Sequence, residues 1–285
     1  MKSNKAEIDT REFIIGSIDK AYSLFERKLE RSTKQYSEPG IHDLRVSIRR
    51  MLSLLMLLEN FTDVPYLLDL KKSLKKMLKS LNPLRDTQVE VSVLKSLVFK
   101  FPVLYTFYIH TLNNEMALAE KAGIKIRNTD KESMDGLAFF LKLFIRQKFS
   151  SLGFYKEKIL NLKKTAFGEL TCLYSAAARD DMESIHKVRL ALKRYRYLEE
   201  ALKPIFSLPK ERLKAMKGLQ DILGEIQDYT VFLNRLNNFI FSQKVIPAEK
   251  FADALKYLGK MRGEPTKILF EKREEFILLF SDDYT

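Results

Sequence analysis

The sequence is poor in helix-breaking residues and in the residues that build disulfide-bonded or zinc-bound proteins. Its 285 residues include no tryptophan, 10 glycines, 8 prolines and one cysteine, Cys172. A single cysteine excludes an intrachain disulfide and a cysteine-rich zinc site, and it is typical of a reducing compartment. We therefore expect a cytoplasmic protein that is stabilised by its hydrophobic core.

Long apolar segments are also missing. The longest, LSLLMLL at 52–58, is much shorter than the roughly 18 apolar residues needed to cross a membrane. The N-terminal sequence MKSNKAEIDTREF has no apolar segment, so no signal peptide is expected. A hydrophobic content of 46% nevertheless indicates a globular protein rather than a disordered one.

Acidic residues are too few to balance the basic ones. The chain has 50 Lys and Arg residues and 37 Asp and Glu residues, which gives a formal net charge of +13. An excess of this size favours a polyanionic partner, which would be a nucleic acid, an anionic membrane surface or a phosphate polymer. A basic surface that serves only solubility is the alternative.

Apolar residues recur at helical spacing along almost the whole chain, and no segment shows the alternation that marks a strand. The fold class is therefore predicted to be all-α. Glycine, proline and capping residues then predict where individual helices begin and end. The main predictions are a helix at 41–60, a helix at 64–82, a turn at 82–86, a helix end near Gly123, a polar link at 125–133, a turn at 223–228 and one long helix at 248–280.

Two segments carry the same pattern of histidine and basic residues. They are IHDLRVSIRR at 41–50 and IHKVRLALKR at 185–194, and they contain two of the three histidines in the chain. A lysine-bearing helix follows each of them, and then LNPLRDTQV or LGEIQDYTV. The offset is 144 residues at the histidines and 142 residues between Asp86 and Asp228. This predicts an internal duplication with halves at 1–130 and 131–285.

The basic residues of each segment form a stripe beside the apolar side of its helix, because residues three, four and seven apart share a side. Like charges in such a stripe repel each other, so a bound anion or acidic side chains must compensate them. A solvated lysine face is the simpler interpretation of each lysine helix taken alone. The candidate anion-binding residues are His42, Arg45, Arg49, Arg50, Lys72, Lys75, Lys76, Lys79, His186, Arg189, Lys193, Arg194, Arg196, Lys214 and Lys217.

The remaining candidates for chemistry are weaker. A histidine beside an apolar face is often only a structural hydrogen-bond partner, and neither histidine segment has the spacing of a metal site. Asp86 and Asp228 are interpreted first as N-caps of helices and second as residues that orient an arginine or histidine of the stripe. Acidic residues do not cluster as a phosphatase metal site requires, so we expect no catalysis, metal or cofactor.

The two His-x-x-Arg helices, the second continuing as KRYRY at 193–197, and the paired turns resemble the CHAD family of conserved-histidine α-helical domains. The resemblance covers residues 8–280. It implies two four-helix-type antiparallel bundles related by a pseudo-two-fold axis, with inorganic polyphosphate bound in a basic groove between them. It also implies a non-catalytic protein that associates with polyphosphate granules. The ligand role transfers to His42, Arg45, Arg49, His186, Arg189, Lys193 and Arg196, with Lys75 and Lys217.

The sequence departs from the family pattern at two positions. Asn82 stands where the family favours glycine in the first turn, and Leu52 stands where Arg196 supplies a cation in the second copy. The two half-sites are thus expected to be unequal, with stronger binding at the second. The alternative function is RNA binding by the same basic surface, with Tyr195 and Tyr197 stacking on bases. Other polyanions are further candidate partners.

Overall fold

The computed structural model describes residues 10–34, 36–148, 152–202 and 209–281. Within these ranges the chain forms ten α-helices and two 3₁₀ turns, and it forms no strand. The predicted all-α fold class is therefore confirmed. The helices are α1 (Thr10–Lys34), α2 (Glu38–Glu59), α3 (Pro65–Leu97), α4 (Tyr105–Arg127), α5 (Lys131–Lys148), α6 (Leu152–Ala176), α7 (Met182–Leu202), α8 (Lys210–Ser242), α9 (Ala252–Glu271) and α10 (Arg273–Ser281).

The first of two compact units consists of Met1–Asp86 and Met116–Leu162. In it, α1 packs against α2 and α5, and α3 adds its leucines to the same core. Leu44, Leu55 and Leu74 are completely buried there. Each buried leucine contributes roughly 1.5–3 kcal/mol, so the apolar helical spacing read from the sequence is the main stabilising feature of this unit.

The second compact unit consists of Thr87–Glu115 and Lys163–Thr285. One cluster of its core joins α6, α7, α8 and the end of α9 around Tyr174 and Tyr195. Another joins the end of α3, the start of α4, the end of α8 and the start of α9 around Phe107 and Phe251. Each unit thus contains one of the two His-Arg helices. The halves at 1–130 and 131–285 and the internal duplication follow from the repeated segments and stay predictions.

The turn predicted at 82–86 is wrong, because α3 runs without interruption from Pro65 to Leu97 with Pro83 inside it. Proline has no N–H to donate to the carbonyl of Lys79, which normally weakens a helix. Leu81 and Leu84 on either side are completely buried. Their burial keeps the helix continuous and overrides the local preference of proline for a helix start.

The turn predicted at 223–228 is also wrong. Helix α8 continues from Lys210 to Ser242, and no glycine in the described ranges has a positive φ, so Gly224 is an ordinary helical residue. Leu223 and Ile226 are buried in the core of the second unit. Packing again extends the helix through a segment whose local sequence favours a turn.

Two further boundaries differ from the prediction. Helix α4 passes Gly123 and ends at Arg127, and a Cβ atom at Gly123 would lie 2.5 Å from Cζ of Tyr36. This glycine therefore permits close packing of a tyrosine ring and does not end the helix. The segment 248–280 begins as a 3₁₀ turn and is divided between α9 and α10. After the division, Arg273 donates to the carbonyls of Ser175 and Ala177 at the end of α6.

Candidate functional site

Helix α2 carries the first His-Arg stripe on the border between core and solvent. Ser37 caps the helix and accepts a hydrogen bond from the Gly40 N–H at 3.3 Å. From that start, Arg45 is buried with only 7% of its surface exposed, Arg49 is half-buried and His42 is exposed. The stripe therefore places three basic side chains along the edge of the core.

Helices α2 and α3 run antiparallel at this stripe. Arg45 Nε donates to Oδ1 of Asn82 at 3.1 Å, and the Arg45 guanidinium lies 3.8 Å from the Asp86 carboxylate. Arg85, three residues after Asn82 on α3, pairs with Glu38, which lies four residues before His42 and on the same side of α2. This register brings Arg85 into the site, although the sequence analysis did not include it among the binding residues.

Two lysines of α3 lie on the side that contacts α2. Residues seven apart share a side of a helix, so Lys75 lies on the side of Asn82. By the same spacing, Lys79 lies on the side of Asp86. Asn82 and Asp86 both contact Arg45. Lys75 and Lys79 therefore extend the basic stripe of α2 along the α2–α3 pair. We call the set His42, Arg45, Arg49, Lys75, Lys79 and Arg85 the first basic surface.

The other predicted cations of the first unit lie around or beyond this surface. Lys72 precedes Lys79 by seven residues and extends its side, whereas Lys76 shares the side of Pro83. Arg50 is turned by about 100° from Arg49 around the α2 axis. All three of these outlying cations are exposed. They add positive charge to the unit without lining the α2–α3 contact.

Most cations in this region have no acidic partner. Lys28, Lys71 and Arg85 each form an ion pair, with Asp43, Glu59 and Glu38 respectively. In the part of the chain that the structure describes, six others form no ion pair: Arg49, Arg50, Lys72, Lys75, Lys76 and Lys79. Within the first basic surface, Arg45 and Arg85 are thus compensated by Asp86 and Glu38, whereas the charges of Arg49, Lys75 and Lys79 are uncompensated.

The titration of His42 reflects this charge. Partial burial lowers the pKa of the imidazole below its usual value, and the Arg85 guanidinium lowers it further. Arg45 and Arg49 act in the same direction, whereas Asp43 opposes them. Asp43 is in turn held by Lys28 at 2.5 Å, which lowers the pKa of its carboxyl. The neutral imidazole is thus favoured until a negative charge approaches.

The second stripe lies on α7, which is capped by Asp181. Its carboxylate accepts hydrogen bonds from the N–H groups of Glu183 and Ser184 at 3.0 and 3.1 Å, as the sequence predicts for a cap just before the helix. His186 Nδ1 lies 2.6 Å from Oε1 of Gln227 on α8. In the repeat predicted from the sequence, Gln227 stands where the first copy has Arg85, so a neutral amide replaces a guanidinium.

Two cations of the second unit form ion pairs with glutamates. Arg194 pairs with Glu169 at 2.7 Å, and Arg196 lies 3.5 Å from Glu200 and stacks over the ring of Tyr197. Among the other predicted cations, Arg189 and Lys193 on α7 are half-buried, and Lys214 and Lys217 on α8 are exposed. We call His186, Arg189, Lys193, Arg196 and Lys217 the second basic surface.

Asp86 and Asp228 are not N-caps. Both lie inside long helices, since α3 and α8 continue through them. Asp86 is exposed and contacts Arg45, which is the geometry of a residue that orients the arginine. Asp228 is exposed on α8. An orienting role for this pair stays a proposal, supported on the first surface by the 3.8 Å contact.

The sequence analysis missed a buried ion pair behind the second surface. Lys163 Nζ lies 3.1 Å from the Glu199 carboxylate, and the two side chains are 9% and 1% exposed. Burial raises the pKa of the Glu199 carboxyl, whereas Lys163, Tyr195 and Arg212 lower it. Glu199 lies at a position where the helical spacing of α7 predicts an apolar, buried residue. This position is the one signal in the sequence that Glu199 is buried.

The described residues offer no other obvious site. Among them, no group of three His, Cys, Asp or Glu side chains is arranged to hold a metal ion. None of the described helices is long and apolar enough to span a membrane. The two basic surfaces are therefore the features that distinguish this protein chemically.

A sequence model of the CHAD domain matches residues 17–237, which is most of the chain. The chain belongs to the CHAD domain family. Two solved structures resemble this CHAD domain along their length. The CHAD domain from the plant Ricinus communis is 18% identical with a TM-score of 0.70, and the match covers 99% of this chain and 94% of that one. PptA from Streptomyces chartreusis is 15% identical with a TM-score of 0.66, covering 94% and 99%.

These comparisons show the fold and the family of this CHAD domain. No curated protein matches the sequence. The family is linked in general to polyphosphate binding, and its domains are generally binding domains rather than enzymes. The stripes found in the sequence thus lie in a domain type whose general ligand is a polyanion.

Proposed function

We propose that this protein binds inorganic polyphosphate, without catalysing its hydrolysis, through the first and second basic surfaces. The observation that carries the proposal is the uncompensated charge of the first unit. Arg49, Lys75 and Lys79 lie along the α2–α3 contact without an acidic partner in the described residues. A chain of phosphates supplies the missing negative charges at regular intervals.

The side chains suit phosphate oxygen atoms. Arginine donates two parallel N–H bonds to a phosphate, and lysine supplies a compact charge on a flexible stem. Arg45 is already fixed by Asn82 and Asp86, so it supports the surface and leaves direct contact mainly to Arg49 and the lysines. Both surfaces belong to one chain. A polymer bound at one surface is therefore present at a high effective concentration for binding at the other.

Ion pairs occur within both basic surfaces, since Arg45 and Arg85 of the first are paired with Asp86 and Glu38, and Arg196 of the second is paired with Glu200. Arg194 and Arg196 of the second unit each have a glutamate partner, which a polyanion must displace or tolerate. Stronger binding at the second half-site, expected from the sequence because of Arg196, stays a prediction. The shared groove that the resemblance implies, and an association with polyphosphate granules, stay predictions.

RNA binding is less well supported. Stacking on bases requires exposed aromatic rings. Tyr195 is completely buried, and its ring centroid lies 5.5 Å from that of Phe167. The expectation that Tyr195 stacks on bases is therefore wrong. Tyr197 is half-buried and lies under the Arg196 guanidinium. Neither of the two tyrosines predicted to stack on bases therefore presents a fully exposed ring.

The proposal is tested by titrating labelled polyphosphate with two variants of the full chain that carry the same change in net charge. The test variant removes three cations of the first basic surface: Arg49→Gln, Lys75→Gln and Lys79→Gln. The control variant removes three cations of α5 in the same unit: Lys131→Gln, Lys142→Gln and Arg146→Gln. The test variant is expected to lose most of the affinity and the control little. Equal losses would show that net charge alone attracts the polymer.

A further inference from the structure

His42 and Arg85 form a distinct corner of the first basic surface. They lie on different helices, His42 in the second turn of α2 and Arg85 in the middle of α3, and Arg85 pairs with Glu38, which shares a side of α2 with His42 four residues later. The His42 ring is exposed, so a ligand can reach it. The Arg85 guanidinium is 18% exposed and is held by Glu38 at 2.5 Å.

The charged groups that face His42 are mostly cationic. Arg45 and Arg49 on α2 and Arg85 on α3 lower the pKa of His42, and Asp43 opposes them. Asp43 is bound to Lys28 of α1, so its charge is largely compensated. The environment therefore opposes a second proton on the imidazole while the site is empty of anions.

We propose that His42 and Arg85 together bind one phosphate group of the polyphosphate chain, and that His42 takes up a proton when this phosphate binds. This inference rests on the proposed function. The phosphate oxygen adds the negative charge that the surroundings of His42 lack, and the imidazolium then donates both of its N–H groups. Glu38 is the internal competitor, since the phosphate must replace its carboxylate on Arg85.

The second unit lacks this arrangement. The residue opposite His186 is Gln227, a neutral amide whose oxygen lies 2.6 Å from the imidazole Nδ1. A phosphate bound beside His186 would contact the neutral amide of Gln227, whereas a phosphate beside His42 would contact the guanidinium of Arg85. Proton uptake at His42 therefore makes binding at the first surface stronger as the pH falls, by up to about tenfold per pH unit while this one group titrates.

The test follows the imidazole signals of the full chain by NMR, with and without long-chain polyphosphate, across the pH range in which histidine titrates. The chain has only three histidines, and His110 on α4 serves as an internal reference in the same spectra. Long chains are used because nearly all of their phosphates are internal and keep one charge over this range. The pKa of His42 is expected to rise on binding.

Arg85 is tested separately with matched variants. Arg85→Gln is expected to weaken polyphosphate binding severalfold and to raise the pKa of His42 in the free protein. Glu38→Gln is expected to strengthen binding, because it removes the competing carboxylate. Arg146→Gln is the control, since Arg146 also pairs with a glutamate but lies on α5. It should change neither property.

The outcomes separate the two proposals. Polyphosphate that binds without changing the titration of His42 overturns the proton-linked subsite and leaves the proposed function intact. Unchanged affinity in Arg85→Gln removes Arg85 from the subsite. Failure of the unaltered protein to bind polyphosphate at all overturns the proposed function itself.

Discussion

Two adjacent arginines on α2 provide a sharp test of which side of the helix binds the ligand. Arg49 and Arg50 differ by one position in the sequence, and neither forms an ion pair in the described part of the chain. Arg49 is half-buried beside α3, whereas Arg50 is exposed and turned by about 100° around the helix. Substituting either by glutamine changes the net charge equally.

The expected effects differ in size. A well-desolvated hydrogen bond between charged partners contributes about 1.5–3 kcal/mol, and partial exposure reduces this. For half-buried Arg49 we expect a loss of about 1–2 kcal/mol, or roughly 5- to 30-fold in Kd. For exposed Arg50 the loss should be below about 0.5 kcal/mol, less than roughly threefold. Neither substitution should lower the melting temperature, since neither arginine has an acidic partner to lose.

The assay is a titration of labelled polyphosphate by each variant at fixed salt, with the melting temperature measured in parallel. A larger loss in Arg49→Gln than in Arg50→Gln confirms that the α2–α3 side binds the polymer. Equal losses in the two variants would refute the assignment, because they would mean that only the total charge of the helix matters.

Four further results are expected. Polyphosphate affinity should fall by orders of magnitude from low to moderate salt if about five to eight phosphates are neutralised, and a flat salt dependence would contradict binding by charge. Arg45→Met should destabilise the fold by about 1–3 kcal/mol, because it leaves the side chains of Asn82 and Asp86 without their partner, and an unchanged denaturation midpoint would contradict this. Glu199→Gln should cost about 3–5 kcal/mol by leaving Lys163 buried without its counter-charge, whereas Glu200→Gln, its exposed neighbour, should cost far less. Incubation with polyphosphate and Mg²⁺ or Mn²⁺ should release no orthophosphate above a control without protein, and metal-dependent release would make the protein an enzyme.

The helices were largely predictable because their apolar spacing is regular. The errors at 82–86, at 223–228 and at Gly123 come from treating local turn residues as decisive. NPLRD contains an asparagine, a proline and an aspartate, and LGEIQD contains a glycine, yet the leucines that flank these residues are buried and keep α3 and α8 continuous. Tertiary packing overrides local preference in both segments, as propensity scales allow.

The site was predictable only as far as single helices. Spacing on α2 placed His42, Arg45 and Arg49 on one side, which agrees with their graded burial. Spacing does not show which residues of α3 face them, because that depends on the antiparallel register. Arg85 therefore entered the candidate site only with the structure, as did the contacts of Arg45 with Asn82 and Asp86, and the ligand role of Arg45 stays a prediction.

The most direct measurement of the central claim is a competition experiment. Labelled polyphosphate bound to the unaltered protein is challenged with unlabelled polyphosphate or with RNA of matched total charge, at the same salt concentration. If the basic surfaces are built for polyphosphate, the unlabelled polymer displaces the label and RNA competes poorly, since base stacking has no exposed Tyr195 to use. Displacement by RNA at equal phosphate concentration would contradict the account and indicate a nucleic-acid-binding protein.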